Sequence, residues 1–313
     1  MHTPRSLDIL LLTNFSDNCF RSIPAIAQMA DSLKVRLTIL HVYDPEQVSR
    51  EAIEAKLHSF FPEADRYGAC HRLAVPGPFE QAIRQHLEGW PVDLIVAPGS
   101  ETVGWPRIGA RSTRARLIEQ CGVPVWTIGG EVALDLLLRP VRNVGCWVDY
   151  DSFRADHLEF AIEYANKLHA KLHLLRALPA IDENLLSTGS ADSVLAGKTA
   201  AREIVRVCAS ALVVPEVHVS RGPRAANLAR MLSECDADVV FLSNAASGMV
   251  GEWMGMGMRL SDGLPCPAVC LGETLRGPVW SLETGQATRV SRTAPISVSV
   301  RATSDVSQVG TRA

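Results

Sequence analysis

Two apolar runs in this sequence end in short polar residues at matching places, and those residues are the side chains best placed to meet a ligand. Thr13-Asn14-Phe15-Ser16 follows one run and Val148-Asp149-Tyr150-Asp151 follows the other. A hydroxyl, amide or carboxylate in such a position can bond the edge of a base or a ribose. Two further segments, Pro98-Gly99-Ser100-Glu101-Thr102-Val103-Gly104 and Ser243-Asn244-Ala245-Ala246-Ser247-Gly248, carry glycine and hydroxyls ahead of helix-forming sequence. Free backbone N–H groups at a helix entry of that kind hold phosphate. The chemistry this points to is reversible binding of a phosphorylated small molecule.

Other chemistries fail at the residue level. The spacing of Gly99 and Gly104 opens a P-loop, but Trp105-Pro106 stand where Lys and Ser/Thr are required. Gly255-Met256-Gly257 begins a dinucleotide fingerprint, yet Leu260 takes the place of its third glycine and the position is late in the chain. Cys266 and Cys270 have no nearby histidine to complete a zinc set, so no metal is expected. His41, His71, His173 and His218 fall on predicted strands without a Ser, Cys or acid at a catalytic motif spacing, and there is no nucleophile elbow. No catalytic residue is assigned, and the chain is expected not to be an enzyme.

The elements that must position the polar ends alternate between strand and helix. Leu7 to Thr13 reads as a strand buried on both faces. Phe20, Ile23, Ala27, Ala30 and Leu33 give one face of a helix that Ser16 or Asp17 is suited to cap. Val35 to Val42 is a second strand, and a helix is expected over 46–60. A third strand lies near His71 to Val75, and a helix led by Pro78 follows it. Leu94 to Ala97 is the fourth strand, a helix is expected from about Ser112 to Gln120, and Val125 to Ile128 is the fifth. Alternation of this kind implies right-handed crossovers and an open, mostly parallel sheet.

The plan then repeats. Leu10 to Val42 aligns without gaps on Gly145 to Ala177 at an offset of 135. Asn14 thereby falls on Asp149. Gly77-Pro78 and Asp93-Leu94-Ile95-Val96 answer Gly222-Pro223 and Asp238-Val239-Val240-Phe241 at 145, and Pro124 to Gly129 answers Pro267 to Gly272 at 143. Four blocks in one order at nearly constant offsets indicate a duplication. The reading divides the chain into a unit over 5–130, a linker over 131–140, a second unit over 141–273 and a Ser-, Thr- and Arg-rich tail over 274–313. The tail is expected to be largely disordered, with Ile296 to Val300 alternating like a stray edge strand.

A length of 313 residues suits two such units, and a net charge of -3 supplies no positive field for nucleic acid or anionic lipid. No stretch has the apolar length of a membrane span. Eight cysteines sit singly in apolar segments, which suits reduced thiols and a cytoplasmic location. Met249, Met254, Met256 and Met258 cluster about Trp253. They form either a helix over the sheet or an adaptable protein-contact surface.

A first strand ending in Asn14 or Asp149, a second ending in His41-Val42, a Gly-Pro turn, an Asp-led fourth strand, a glycine loop and a proline-opened last strand together resemble the universal stress protein family. The resemblance covers residues 5–130 and 141–273. It implies two tandem open five-stranded parallel α/β sandwich domains, packed as an intrachain pseudo-dimer with the final strands at the seam. Members are often dimers, so a further homodimer is compatible with it, and many bind ATP. By that likeness the nucleotide contacts are Thr13, Asn14, Val42, Gly99, Ser100, Ser112 and Thr113 in the first unit and Val148 and Asp149 in the second. The family's glycine signature is incomplete in both units. Thr102 replaces its second glycine, while Gly248-Met249-Val250-Gly251 starts late and lacks the closing Gly-Ser. The role implied is regulatory, in the stress response, with weak ATP binding. The alternatives are an interaction module without nucleotide, or a weak ATPase.

Overall fold

The computed structural model describes residues 6–98, 117–118, 121–129, 132–149, 153–178, 191–221, 224–243, 264–272 and 301–302. Within them eleven strands form one sheet: β1 Leu7–Leu12, β2 Val35–Tyr43, β3 Cys70–Pro76, β4 Leu94–Val96, β5 Val125–Thr127, β6 Asn143–Trp147, β7 Lys171–Leu178, β8 Glu216–Arg221, β9 Val239–Ser243, β10 Ala268–Leu271 and β11 Arg301–Ala302. Their spatial order is β11-β8-β7-β6-β9-β10-β5-β4-β1-β2-β3. Setting β11 aside, the order reads the same outward from the centre in both directions. Every neighbouring pair is parallel except β10 with β5 at that centre.

The central pair joins the two segments expected at the seam. Val269 lies opposite Trp126 and Cys270 opposite Val125 in antiparallel register. Trp126 is 2% exposed. Each strand covers the edge the other would leave open. Gly272 follows β10 where a Cβ would meet the Ile118 carbonyl oxygen at 2.9 Å, so no larger residue fits that approach.

Helices cover both faces. α1 Asp17–Ser32, α2 Arg50–Phe60, α5 Ala155–Lys167 and α6 Ala191–Ser210 lie on one side, burying Ile26, Leu57, Leu158, Phe160 and Val207. α3 Phe79–Gly89 and α7 Arg224–Glu234 lie on the other, with Ile83, Leu228 and Leu232. Strands sandwiched in this way need apolar residues on both faces, and all six residues of β1 are buried. In the segment between the halves, α4 Leu134–Leu138 is held against α1, where Gln28 Nε2 donates to the Leu138 carbonyl over 2.6 Å and Arg21 donates to the Val132 carbonyl.

The amino ends of the sheet repeat bond for bond at the offsets of the sequence repeat. Asp93 Oδ2 accepts from the Asp8 amide (2.9 Å), and Asp238 Oδ2 accepts from the Asn143 amide (2.9 Å). In return the Asp93 amide donates to the Asp8 carbonyl and the Asp238 amide to the Asn143 carbonyl, over 2.8 and 2.9 Å. The Asp that leads each fourth strand is therefore structural. It satisfies a backbone donor at the start of the first strand, and an orphaned donor there would cost about 1–3 kcal/mol. Arg36 closes a bidentate pair with Asp8 at 2.5 Å, and Arg139 reaches Asp238 at 2.7 Å.

Several element ends differ from the sequence reading. α2 starts at Arg50 rather than 46, because Asp44 first turns the chain by accepting from the Glu46 amide. Ser49 then caps the helix through the Ala52 amide. Ser16 occupies the N-cap position of α1 but its hydroxyl makes no cap bond, and Pro78 stands at the N-cap position of α3, one residue before its first turn, without a side-chain cap. Phe20 is 45% exposed and packs on Phe60 at 4.9 Å rather than joining the core. Of the helix expected at 112–120, only Leu117 and Ile118 fall among the described residues. From the tail only Arg301–Ala302 is described, pairing in parallel with His218–Val219.

Candidate functional site

Ligands of open α/β sheets bind beyond the carboxyl ends of the strands. Because polarity reverses once, at β5 and β10, the carboxyl ends of the two halves face opposite ends of the sheet. There are thus two mouths to compare.

At the first mouth the polar residues that end β1 are consumed by a turn. The Thr13 hydroxyl accepts from the Phe15 amide at 3.0 Å, and the Asn14 side-chain oxygen accepts from the Ser16 amide at 3.0 Å and from the Cys19 thiol at 3.2 Å. Side chains of this kind hold tight turns by bonding the backbone two residues on. Between them Phe15 takes φ 60°, a left-handed conformation that non-glycine residues avoid. Its ring lies against His41 at 4.6 Å and Phe60 at 5.7 Å, with the Lys56 ammonium 5.9 Å from its centroid. His41 Nδ1 donates to the Thr13 carbonyl at 2.7 Å, and burial lowers its pKa, so the ring is neutral at pH 7. Among the described residues, the first mouth thus carries an aromatic cluster. Val42 stands half-buried on β2, opposite Val75.

The second mouth is built differently. Beyond the carboxyl end of β6, Val148 and Asp149 join Trp147, Phe153, Arg154, His157, Phe241, Ser243 and Leu271 around a cavity of about 20 Å³, room for one water-sized guest. His157 is 6% exposed, and its Nε2 donates to the Gly272 carbonyl at 3.1 Å. The proton thus sits on Nε2. Nδ1 is left as a bare acceptor with no hydrogen-bond partner among the described residues, and the Trp147 indole N–H likewise has none. Burial lowers the His157 pKa against the opposing pull of Asp156, so this ring too is neutral. Arg154 forks onto Asp156 at 3.0 and 2.6 Å, bringing a cation to the rim. A half-buried carboxylate, an unsatisfied imidazole nitrogen and a guanidinium can bind a polar ligand that offers both donors and negative charge.

Of the nucleotide contacts expected from sequence, Thr13, Asn14 and Val42 are gathered at the first mouth and Val148 and Asp149 at the second. Gly99, Ser100, Ser112 and Thr113 lie outside the described residues, as does the Met-rich segment 249–258. Sequence reasoning missed Phe15, which it passed over inside the first loop, and His157. The repeat contained a signal for the second: His157 aligns with Ser22, so both copies of this helix put a polar residue into a buried position. A larger cavity, about 190 Å³, lies near the seam between α1, α4 and α5, lined in part by Trp126, Tyr164, Arg139 and Asp238.

All eight cysteines are free and all but Cys70 are buried; burial pushes the Cys146 thiol up to about 12. Among the described residues no helix is long and apolar enough to cross a membrane.

Known structures share this architecture. A universal stress protein from Archaeoglobus fulgidus superposes with a TM-score of 0.57 at 17% identity, over 85% of this chain and 96% of that one. A putative universal stress protein from Pseudomonas aeruginosa gives 0.54 at 15%, over 85% and 93%. The cytoplasmic domain of a prokaryotic cation chloride cotransporter gives 0.51 at 12%, over 88% and 99%. At these identities the likeness is one of fold: a universal-stress-like α/β sheet. No protein-family model matches the sequence, and no curated protein does so either.

Proposed function

We propose that this protein is a regulatory binding protein of the universal-stress type, two such units fused in one chain, and that it binds an adenine nucleotide weakly at one mouth only. The observation that carries the reading is the contrast between the mouths. The second keeps Asp149 just beyond the end of its first strand, lining one cavity with His157, whereas at the first Phe15 packs on His41 and Phe60. Asp149 and His157 are suited to the base or ribose. By the family likeness, phosphate contacts fall on the segment after β9, residues 244–263. The repeated bonds at the amino ends and the antiparallel β5–β10 pair support an internal pseudo-dimer. No catalytic step is assigned; an ATPase would have to release phosphate from ATP above a protein-free blank.

Equilibrium binding of ATP and of AMP to the purified chain tests this. Asp149→Ala is expected to weaken binding at least about tenfold, equivalent to about 1.4 kcal/mol. Asn14→Ala and Ser112→Ala are expected to leave it unchanged. Loss on Ser112→Ala with none on Asp149→Ala moves the site to the first unit.

A second reading, an interaction module without nucleotide, has its own support. Val205, Leu212 and Val214, on the end of α6 and the turn after it, are 53%, 92% and 68% exposed. No detectable binding of ATP or AMP by the wild-type chain would favour it.

A further inference from the structure

Away from both seam and mouths, at the amino ends of β7 and β8, three metal-ligating side chains meet. His173 and Glu216 are register partners, and His218 lies two residues along β8 on the same face as Glu216. His173 Nδ1 is 3.0 Å from His218 Nε2 and 3.6 Å from a Glu216 carboxylate oxygen. Two donors each about 2.1 Å from one tetrahedral ion are separated by about 3.4 Å, and the observed spacings fall on either side of that value.

Neighbouring groups fix which nitrogens are available. Asn143 Nδ2 donates to the Asp236 carbonyl at 3.2 Å, so its Oδ1 is the atom that faces His173 Nε2, also at 3.2 Å. An amide oxygen only accepts. His173 must therefore carry its proton on Nε2 and present a bare lone pair at Nδ1 to His218 and Glu216. Asn143 stands to His173 as the oxygen acceptors behind metal-bound histidines commonly do, holding tautomer and ring orientation. Without an ion, a single proton on His218 Nε2 occupies the gap to His173 Nδ1. Lys171 lies 3.7 Å from the other Glu216 oxygen.

We propose that His173, Glu216 and His218 form a binding site for one divalent transition-metal ion of the zinc class. Two imidazoles and one carboxylate suit zinc, cobalt or nickel rather than magnesium or calcium, which require oxygen donors. The ion takes the place of the shared proton, and His218 binds it as its Nδ1–H tautomer. Three protein donors leave a fourth position for water. The site lies at the other end of β7 and β8 from the second mouth, so it is independent of nucleotide binding.

The test is titration of the chelator-treated full-length protein with Zn²⁺ against a chromophoric chelator, with the cysteines kept reduced by a phosphine. One equivalent is expected at micromolar affinity or tighter, and Glu216→Gln and His218→Gln should each weaken it at least about tenfold. Their side chains are not buried, so both variants are expected to fold, and their unfolding temperatures confirm it. They decide the question even if the buried His173→Gln variant does not fold. Co²⁺ should give visible ligand-field bands without the intense near-ultraviolet absorption of a cobalt–thiolate bond. Absence of stoichiometric Zn²⁺ binding, or equal affinity in wild type and both variants, overturns the site. Strong thiolate absorption with Co²⁺ would also do so by moving the metal to the cysteines.

Discussion

The two mouths of the sheet occupy matching places in the strand order and are built differently. In the first, Thr13 and Asn14 spend their side chains on a turn that holds Phe15 in a left-handed conformation over His41 and Phe60. In the second, Asp149 and His157 line a small cavity of mixed character. The amino ends, by contrast, remain the same in both halves, with Asp93 and Asp238 accepting from the first strand's amide at matched positions. The difference lies in what each end must satisfy. A buried backbone N–H must find a partner whatever the protein binds, whereas a mouth answers only to its ligand. The two halves are thus alike where backbone groups must be paired and differ where only a ligand would set the requirement.

The comparison breaks first at the seam, since two independently unfolding halves would simply be two proteins on one chain. Trp126→Ala should cost about 3–5 kcal/mol, the usual range for an aromatic residue truncated in a core. Urea unfolding should show this as a lower midpoint of one cooperative transition with an unchanged slope. Two separated transitions in the wild type would dissolve the shared frame in which the mouths are compared.

A smaller effect sharpens the account of the first mouth. Phe15→Ala should lose about 2 kcal/mol for a half-buried ring. Phe15→Gly should be at least as stable as the alanine variant, because glycine relieves the left-handed φ by about 1 kcal/mol. At an ordinary position glycine is the worse of the two. That ordinary order, found here by thermal unfolding, would mean the turn is not strained as described.

The smallest effect concerns the second mouth. His157 is held below the ordinary histidine pKa by burial, as His41 is at the first mouth. Below about pH 6.5 the unfolded chain takes up protons on these rings that the folded chain refuses. Stability is therefore complete above that pH and falls as pH drops. His157→Gln should flatten, without abolishing, the decline in unfolding temperature between about pH 7 and pH 5. A slope identical to wild type would place the buried neutral ring elsewhere.

Much of the scaffold was legible in the residues. Continuous apolar runs such as Leu7 to Leu12 announced strands buried on both faces, and the family resemblance, not the repeat itself, implied that 125–128 and 268–271 lie side by side at the seam. Residues whose role depends on backbone conformation or on another strand were not legible. Nothing in Asn14-Phe15-Ser16 says that a phenylalanine will take positive φ and pack on His41 and Phe60. His173 and His218 read only as histidines on predicted strands, and Glu216 was not singled out. Only the register of β7 on β8 makes them neighbours. The limits of α2 were missed for a local reason, the Asp44 turn, which competes with the helical periodicity that precedes Arg50.

The reversal of strand polarity at the centre bears on symmetry between copies of the chain. A body whose two ends differ can associate in two ways. Contacts pairing like end with like end are self-complementary and close after two copies, whereas contacts pairing unlike ends repeat without a natural stop. A chain with identical mouths would not distinguish these modes. With Phe15 against His41 and Phe60 at one end and a small cavity beside Asp149 at the other, the choice between a closed pair and an open array is written into which ends meet.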